Sequence, residues 1–508
     1  MKNRTRTIAL LLAVLMLCAP LFSCSESKTN TEEEPKSTPT AGTDTPAPGA
    51  EETEPEESET MFMPDALPEL NFQDETCRIF CWESWDTSEF FVEEDTGEIV
   101  DTAVFYRNLA VEERLGVKLE WDQRPRNSAA YGSDLKNAVQ QQNASADNTY
   151  DAVACYGMRV ASCATDGMLK NLHETTYIDL TKPWYYESAV KAGTLHKGYT
   201  YFIAGDISYN ALARMSGVFF NTGMIANFQL EDPYELVLEG TWTIDKMHEM
   251  IKDTYADLDG DGKRSDADRY GIMIASDQCN TLYYGTGSHF IDFDEDGNPM
   301  ISADVSSERT MSILEKYVSL FDEEAAYKNQ KVDVTNNFDE GRILFYVYPL
   351  GHVAEDSLRE SDIDYGFIPQ PKVEASEEKY HASVTNAISL FAIPLVVSSE
   401  EKSSALIECL SSEGYRRVTP IVFEQAYKVK YNYDDSARQT KIFDMIRENA
   451  LFDLGKIFCD ELFGGFSNGV IATNIWEGNT NFASKLKGFQ RVWQKGLEKL
   501  TKKLDFVD

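Results

Sequence analysis

Between Cys77 and Tyr156 the chain alternates apolar, strand-like runs with helix-like ones, and this order constrains the fold more than any single motif. Cys77-Arg78-Ile79-Phe80-Cys81-Trp82 reads as a strand. Asp101 to Leu115 reads as a helix, with Gly116 as its C-terminal stop. Val117 to Trp121 is a second strand, Ser133 to Gln142 a second helix and Tyr150 to Cys155 a third strand. Strand, helix, strand, helix, strand is the signature of a parallel α/β sheet. Such sheets take ligands in the crevice beyond the carboxyl ends of their strands. Trp82, Glu83, Trp85 and Tyr156 fall at two of those ends.

Tyr199 to Ala204 is a strand leading into Gly205-Asp206, and Ser216 to Asn221 is a buried strand. The composition then turns helical, at Thr222 to Phe228 and again behind Thr243. There Ile244, Met247, His248 and Ile251 recur at helical spacing after an N-capping residue. This change marks entry into a second domain. Glu308 to Phe321 reads as a helix, Ile343 to Tyr346 as a buried strand and Tyr365 to Pro371 as extended chain. Ala387 to Ile393 is an apolar strand, and Glu400 to Ser411 and Thr419 to Lys503 are mainly helical. No internal repeat emerges.

The chain has 508 residues, 85 acidic and 47 basic, for a net charge of -38. Such a surface repels nucleic acid and anionic membrane, and no basic patch stands out to meet a phosphate backbone. Met1 to Ser23 has a basic start and an uncharged run from Ile8 to Cys18, too short to span a bilayer and typical of a secretory leader. Leu21-Phe22-Ser23-Cys24 resembles a bacterial lipobox, which makes Cys24 the expected lipidation site. Ser25 to Thr60 has almost no apolar side chains and cannot offset its ordering entropy. We therefore expect a signal peptide over 1–23, a lipidated cysteine with a disordered acidic tether over 24–64, and a folded body over 65–508. That body holds seven cysteines, an odd number. Cys77 and Cys81 share one strand roughly 13 Å apart, too far to bridge. The expected state of all seven is small, mostly buried side chains, with a structural disulfide elsewhere among them as the alternative.

Several short patterns recur in order along the body: Asp166-Gly167 with Leu172, Gly217-Val218-Phe219-Phe220-Asn221, Gly240-Thr241-Trp242-Thr243, Phe338-x-x-Gly341-x-x-x-Phe345 and Pro369-Gln370-Pro371. The apolar strand ending at Pro394 closes the series. Together they resemble the extracellular solute-binding proteins of ABC sugar importers, the maltose-binding-protein-like group. The resemblance implies a two-lobed α/β fold of the periplasmic-binding-protein type, with hinge crossings between lobes that close on a ligand. We expect lobe 1 over 65–215 plus 325–390 and lobe 2 over 216–324 plus 391–508. It also implies a monomeric, lipid-anchored, non-enzymatic receptor on the outer face of a bacterial cytoplasmic membrane. Such a receptor would hand a sugar or oligosaccharide to a membrane permease. Sugar rings stack on aromatics while their hydroxyls bond to acids, so the candidate contacts are Trp82, Glu83, Trp85, Tyr156, Asp206, Tyr209, Trp242, Tyr283, Tyr284, Tyr346, Tyr348 and Trp476. Trp242 opens a helix and is as well suited to anchoring it. A peptide receptor of the same fold, a secreted carbohydrate-active enzyme and an adhesin are the alternatives.

No cofactor is required by this reading. One turn does match a calcium loop: Asp257, Asp259, Asp261, Lys263, Ser265 and Asp268 occupy places one, three, five, seven, nine and twelve, with Gly262 sixth. The alternative is a solvated turn between a helix and the strand at Tyr270. Asp292 to Asn298 has a similar look but reads as a hairpin turn. Gly465-Phe466-Ser467-Asn468-Gly469 fits a nucleophile elbow, yet no histidine follows Ser467 to complete a triad in that order. His248-Glu249 lacks the second histidine of a zinc-protease helix.

Overall fold

The computed structural model describes residues 63–84, 88–125, 133–195, 198–295, 297–329, 335–385, 387–426, 436–459 and 469–504. The leader, Cys24, Trp85, Ser467 and all but the last two residues of the tether lie outside the described residues. Strands are numbered in chain order. β1 (Glu75–Trp82), β2 (Val117–Arg124), β3 (Ala152–Tyr156) and β14 (Ser389–Ala392) form a four-stranded sheet in the order β14-β3-β1-β2. β1, β2 and β3 are parallel and β14 runs antiparallel to β3. The helices Ile99–Leu115 and Leu135–Ser145 fill the two connections, as the alternation requires. Gly116 ends the first at φ 61°, donating its N–H to the Glu112 carbonyl. That left-handed geometry suits glycine. The hairpin β4 (Thr194–Leu195) and β5 (Tyr199–Thr200) lies outside this sheet, and Ile203 alone bridges to Phe391 on β14.

The second sheet has seven strands: β6 (Met215–Asn221), β7 (Tyr270–Ala275), β10 (Ala326–Asn329), β11 (Ile343–Pro349), β12 (Tyr365–Ile368), β13 (Ala382–Val384) and β15 (Ala450–Leu451). Their order is β10-β7-β11-β6-β13-β15, with β12 also on β6. A small hairpin, β8 (Ile291–Phe293) with β9 (Pro299–Ile301), confirms the turn reading of Asp292 to Asn298. Both sheets are covered by helices, and β6, β7 and β14 are buried along their whole length, which is why they read as unbroken apolar runs.

Sheet membership differs from the expected division of lobes. β10 to β13, placed by the sequence in lobe 1, belong to the larger sheet with β6 and β7. β14, which the expected boundary between 390 and 391 cuts in two, and the helix Glu400–Arg417, placed in lobe 2, belong with the smaller sheet, the helix packing along Ile99–Leu115. Apolar runs reveal strands, but the partner a strand chooses is a non-local property that no run of residues encodes. All seven body cysteines are free and buried, as expected.

Candidate binding cleft

Strand direction locates the cleft. β6 begins at Met215 immediately after the chain leaves the smaller sheet, and β14 begins at Ser389 immediately after it returns. The two crossings lie side by side: Thr385 N–H donates to the Arg214 carbonyl at 2.9 Å, and Ser389 N–H donates to Asn210 Oδ1 at 2.8 Å. β11 is antiparallel to β6, so Pro349 sits opposite Ser216, and β7 is parallel to β11. The carboxyl ends of β7 and β11 therefore face the crossings. In the smaller sheet Ser389 sits opposite Tyr156, so β3, and with it β1, also ends there. Both sheets thus present carboxyl ends to one crevice, the position where open α/β sheets bind ligands.

Of the sequence candidates, Glu83, Tyr156, Tyr209 and Tyr348 lie at this crevice with part of their surface open. Tyr348 is held in place by stacking on Tyr346, with ring centroids 4.9 Å apart and planes at 15°, and by the edge of His352 at 5.4 Å. Trp476 is half-buried, and its carbonyl accepts from Lys328 Nζ at 2.8 Å, near the end of β10.

Other candidates are packing residues, and the expectation that they touch ligand is corrected. Trp82 is fully buried, donating from Nε1 to Ser389 Oγ at 2.8 Å and packing on Tyr156. It ties β1 to a crossing. Trp242 is equally buried, donating to the Pro369 carbonyl at 3.0 Å and packing on Phe345. Thr243 beside it caps the helix Ile244–Ile251. Tyr283, Tyr284 and Tyr346 are buried too. Aromatic content and a post-strand position do not distinguish a wall of the cleft from its foundation, because both need large apolar faces.

Asp206 is also buried, but it joins the two layers. It accepts from Tyr186 Oη at 3.1 Å and Thr419 Oγ1 at 2.9 Å, and pairs with Arg447. Arg447 comes from the helix Ser436–Glu448, which packs on the larger sheet. Its guanidinium also donates to the Pro183 carbonyl at 3.0 Å and lies over the Tyr186 and Tyr415 rings, each at 5.2 Å. Burial opposes the charge on Arg447, but Asp206 outweighs it and holds the group cationic. Gly414 touches the same corner so closely that a Cβ there would meet the Asp206 carbonyl oxygen at 1.8 Å.

Sequence reasoning missed three further charged groups near the junction. Lys456 is buried with Nζ donating to Ser383 Oγ at 2.9 Å and to the Val384 carbonyl at 2.6 Å, over the Tyr284 ring at 4.3 Å. Burial lowers it to about 7. Asp277 follows β7 by two residues and is exposed, and Glu355 reaches His352 Nδ1 at 3.2 Å. Asp277 could have been found by applying the strand-end rule to the apolar run at Tyr270–Ala275. Lys456 and Glu355 carry no local signal. Along the β15 edge a recess of about 250 Å³ opens beside the junction, walled in part by Lys191, His289, Asp292, His381 and Asp453.

The Asp-rich turn lies at the amino end of β7, away from the crossings. Asp257, Asp259 and Asp261 bring one oxygen each within 4.8 Å of one another. Asp268 is fully buried instead, accepting from Leu258 N–H at 3.1 Å and Ser265 N–H at 3.0 Å. The backbone bonds of Ser265 lead the causes that lower its pKa. The six expected positions therefore split: three carboxylates converge, while the twelfth staples the loop. Among the described residues no helix is long and apolar enough to cross a membrane.

No protein-family model and no curated protein matches the sequence. Solved structures do match the fold. The GacH receptor of Streptomyces glaucescens, solved without ligand and with acarbose, is similar over 83% of this chain and 99% of its own, at 14% identity and a TM-score of 0.51. A cyclo/maltodextrin-binding protein complexed with maltotetraose is similar over 84% of this chain and 96% of its own, at 12% identity and a TM-score of 0.50. The fold is the two-lobed one of maltose-binding-type solute-binding proteins.

Proposed function

We propose that the chain is the lipid-anchored receptor of an ABC importer, capturing a sugar or oligosaccharide between its lobes and delivering it to a membrane permease. The observation that supports this reading most is the convergence of strand carboxyl ends from both sheets on one pair of hydrogen-bonded crossings. Such a crevice can open and close by rotation about the crossings without disturbing either sheet. Tyr156 and Tyr348 offer faces for a sugar ring, and Glu83 and Asp277 offer acceptors for its hydroxyls. The similar structures solved with acarbose and maltotetraose favour a carbohydrate over a peptide. Cys24 would carry the lipid that anchors the chain in the outer leaflet of the cytoplasmic membrane, and the acidic tether would let the body reach the permease. The function requires no catalytic step.

Mass spectrometry of ligand retained on purification, followed by thermal shift against mono- and oligosaccharides with product analysis, tests the reading. A sugar that raises the melting temperature and is recovered intact supports it, and Tyr348→Ala and Asp277→Asn should each weaken binding about tenfold. Hydrolysed sugar would overturn it, as would stabilisation by peptides alone.

A further inference from the structure

The helix Phe482–Leu504 carries Lys485, Lys487, Arg491, Lys495, Lys499, Lys502 and Lys503 against one acid, Glu498, in a chain whose net charge is -38. The expectation that the chain has no basic patch is corrected here, because net charge averages over a surface that the fold has sorted. Leu486, Trp493, Leu497 and Leu500 fix the inward face, with Trp493 edge-on to Phe290 at 5.6 Å. Two of the cations are engaged: Lys485 pairs with Glu477 at 3.0 Å and Lys503 with Asp166 at 3.3 Å. Arg491, Lys495, Lys499 and Lys502 are exposed and make no ion pair among the described residues. Their spacing puts them in one stripe along the outer face, about 16 Å long at the helical rise. Val492, 52% exposed, borders the stripe, and Phe489, 42% exposed, lies one turn away between Val492 and the buried face, its ring stacked on Trp493 with centroids 6.0 Å apart.

We infer that this face docks on an anionic lipid bilayer and sets how the tethered body sits on the membrane. Basic amphipathic helices bind such surfaces by pairing cations with phosphate headgroups while flanking apolar side chains enter the headgroup boundary. The apolar margin favours a bilayer over a soluble polyanion, which would leave Val492 and the open part of the Phe489 ring in water. At physiological salt charges are screened over about 8 Å, so the stripe acts locally while the acidic remainder is held off. One face alone is then compatible with contact, and the body is oriented rather than merely retained. The inference does not depend on what solute the cleft takes, and its test contains none.

Full-length chain carrying Cys24→Ser, which removes the acyl anchor, is sedimented with vesicles of equimolar phosphatidylglycerol and phosphatidylcholine or of phosphatidylcholine alone. Any contribution of the leader is common to all variants. Partitioning onto the anionic vesicles should fall at least about a hundredfold with Arg491→Glu/Lys495→Glu/Lys499→Glu, since each basic residue near a surface contributes about fivefold. Phe489→Ser/Val492→Ser should lower it about tenfold and leave the salt dependence intact. Unchanged melting temperatures show that these exposed substitutions leave the fold alone. Equal partitioning of the triple variant and its parent overturns the inference. So does binding of soluble poly(glycerol phosphate) as tight as vesicle binding with no effect of Phe489→Ser/Val492→Ser, which would make the face a polyanion site.

Discussion

The Asp-rich turn and the lobe junction both concentrate charge, but they handle it in opposite ways. Asp257, Asp259 and Asp261 stand in or near solvent, and each accepts hydrogen bonds from the turn's own backbone, among them Gly260, Asp261 and Lys263 N–H. At the junction Asp206, Asp453 and Lys456 are buried and Arg447 is largely covered, and they are satisfied by partners far away in the chain. The conspicuous motif is local and cheap to satisfy; the inconspicuous residues bind one layer to the other. A dense acidic motif is therefore weak evidence of a site, whereas an isolated buried charge with long-range partners marks a place where geometry is fixed.

Arg447→Met should break the contrast most severely. It leaves Asp206 buried without its cation, and loss of one partner of such a pair costs about 3–5 kcal/mol. Denaturant unfolding should show it, and a change under 1 kcal/mol by the same measurement would mean that water reaches the junction. If Asp206 is changed to Asn in the same chain, part of the loss should return.

Lys456 gives the next largest effect, with a pH signature. Its folded value of about 7 lies below the usual 10.5, so between these values the unfolded chain binds a proton that the folded chain does not. Stability therefore rises with pH across that window in the parent chain. Lys456→Met should remove this rise and stabilise the chain at pH 6. Parallel stability curves for parent and variant from pH 6 to 9 would show that Lys456 titrates normally. Glu408 in the helix Glu400–Arg417 works in the reverse sense. Burial raises it to about 7, so it lowers stability as pH climbs from about 4.5 towards that value.

The smallest effects belong to the turn, and they divide it internally. Asp268→Ala removes acceptors from two backbone N–H groups ten and three residues away and should lower the melting temperature by a few degrees. Asp259→Ala should change it by less than about one degree without calcium. If added calcium raises the melting temperature of the parent and Asp259→Ala abolishes the rise, the turn is a metal site after all. No response to calcium or chelator leaves it as a scaffold turn between the helix Ile244–Ile251 and β7.

How much of this was legible follows from the range of the forces involved. The alternation from Cys77 to Tyr156 and the stop at Gly116 are local, and so are the Thr243 cap and the burial of β6 and β14; each was readable because backbone propensity and apolar periodicity act over a few residues. The candidate site was half legible. Glu83, Tyr156 and Tyr348 could be placed from strand ends, yet Trp82 and Trp242, equally well placed along the sequence, turned inward to bond Ser389 and Pro369. Nothing near them in the chain announces those partners.

The sequence by itself determined that the body is α/β, that its first strands are parallel, and that Cys77 and Cys81 do not bridge each other, because these follow from pattern and spacing. Tertiary structure alone decided that β10 to β13 join the larger sheet, that the crossings lie side by side, and that Asp206 meets Arg447 from 241 residues away. It also gathered a basic stripe on an acidic chain. Each of these depends on which surfaces bury one another, and burial is settled by the whole chain at once rather than by any stretch of it.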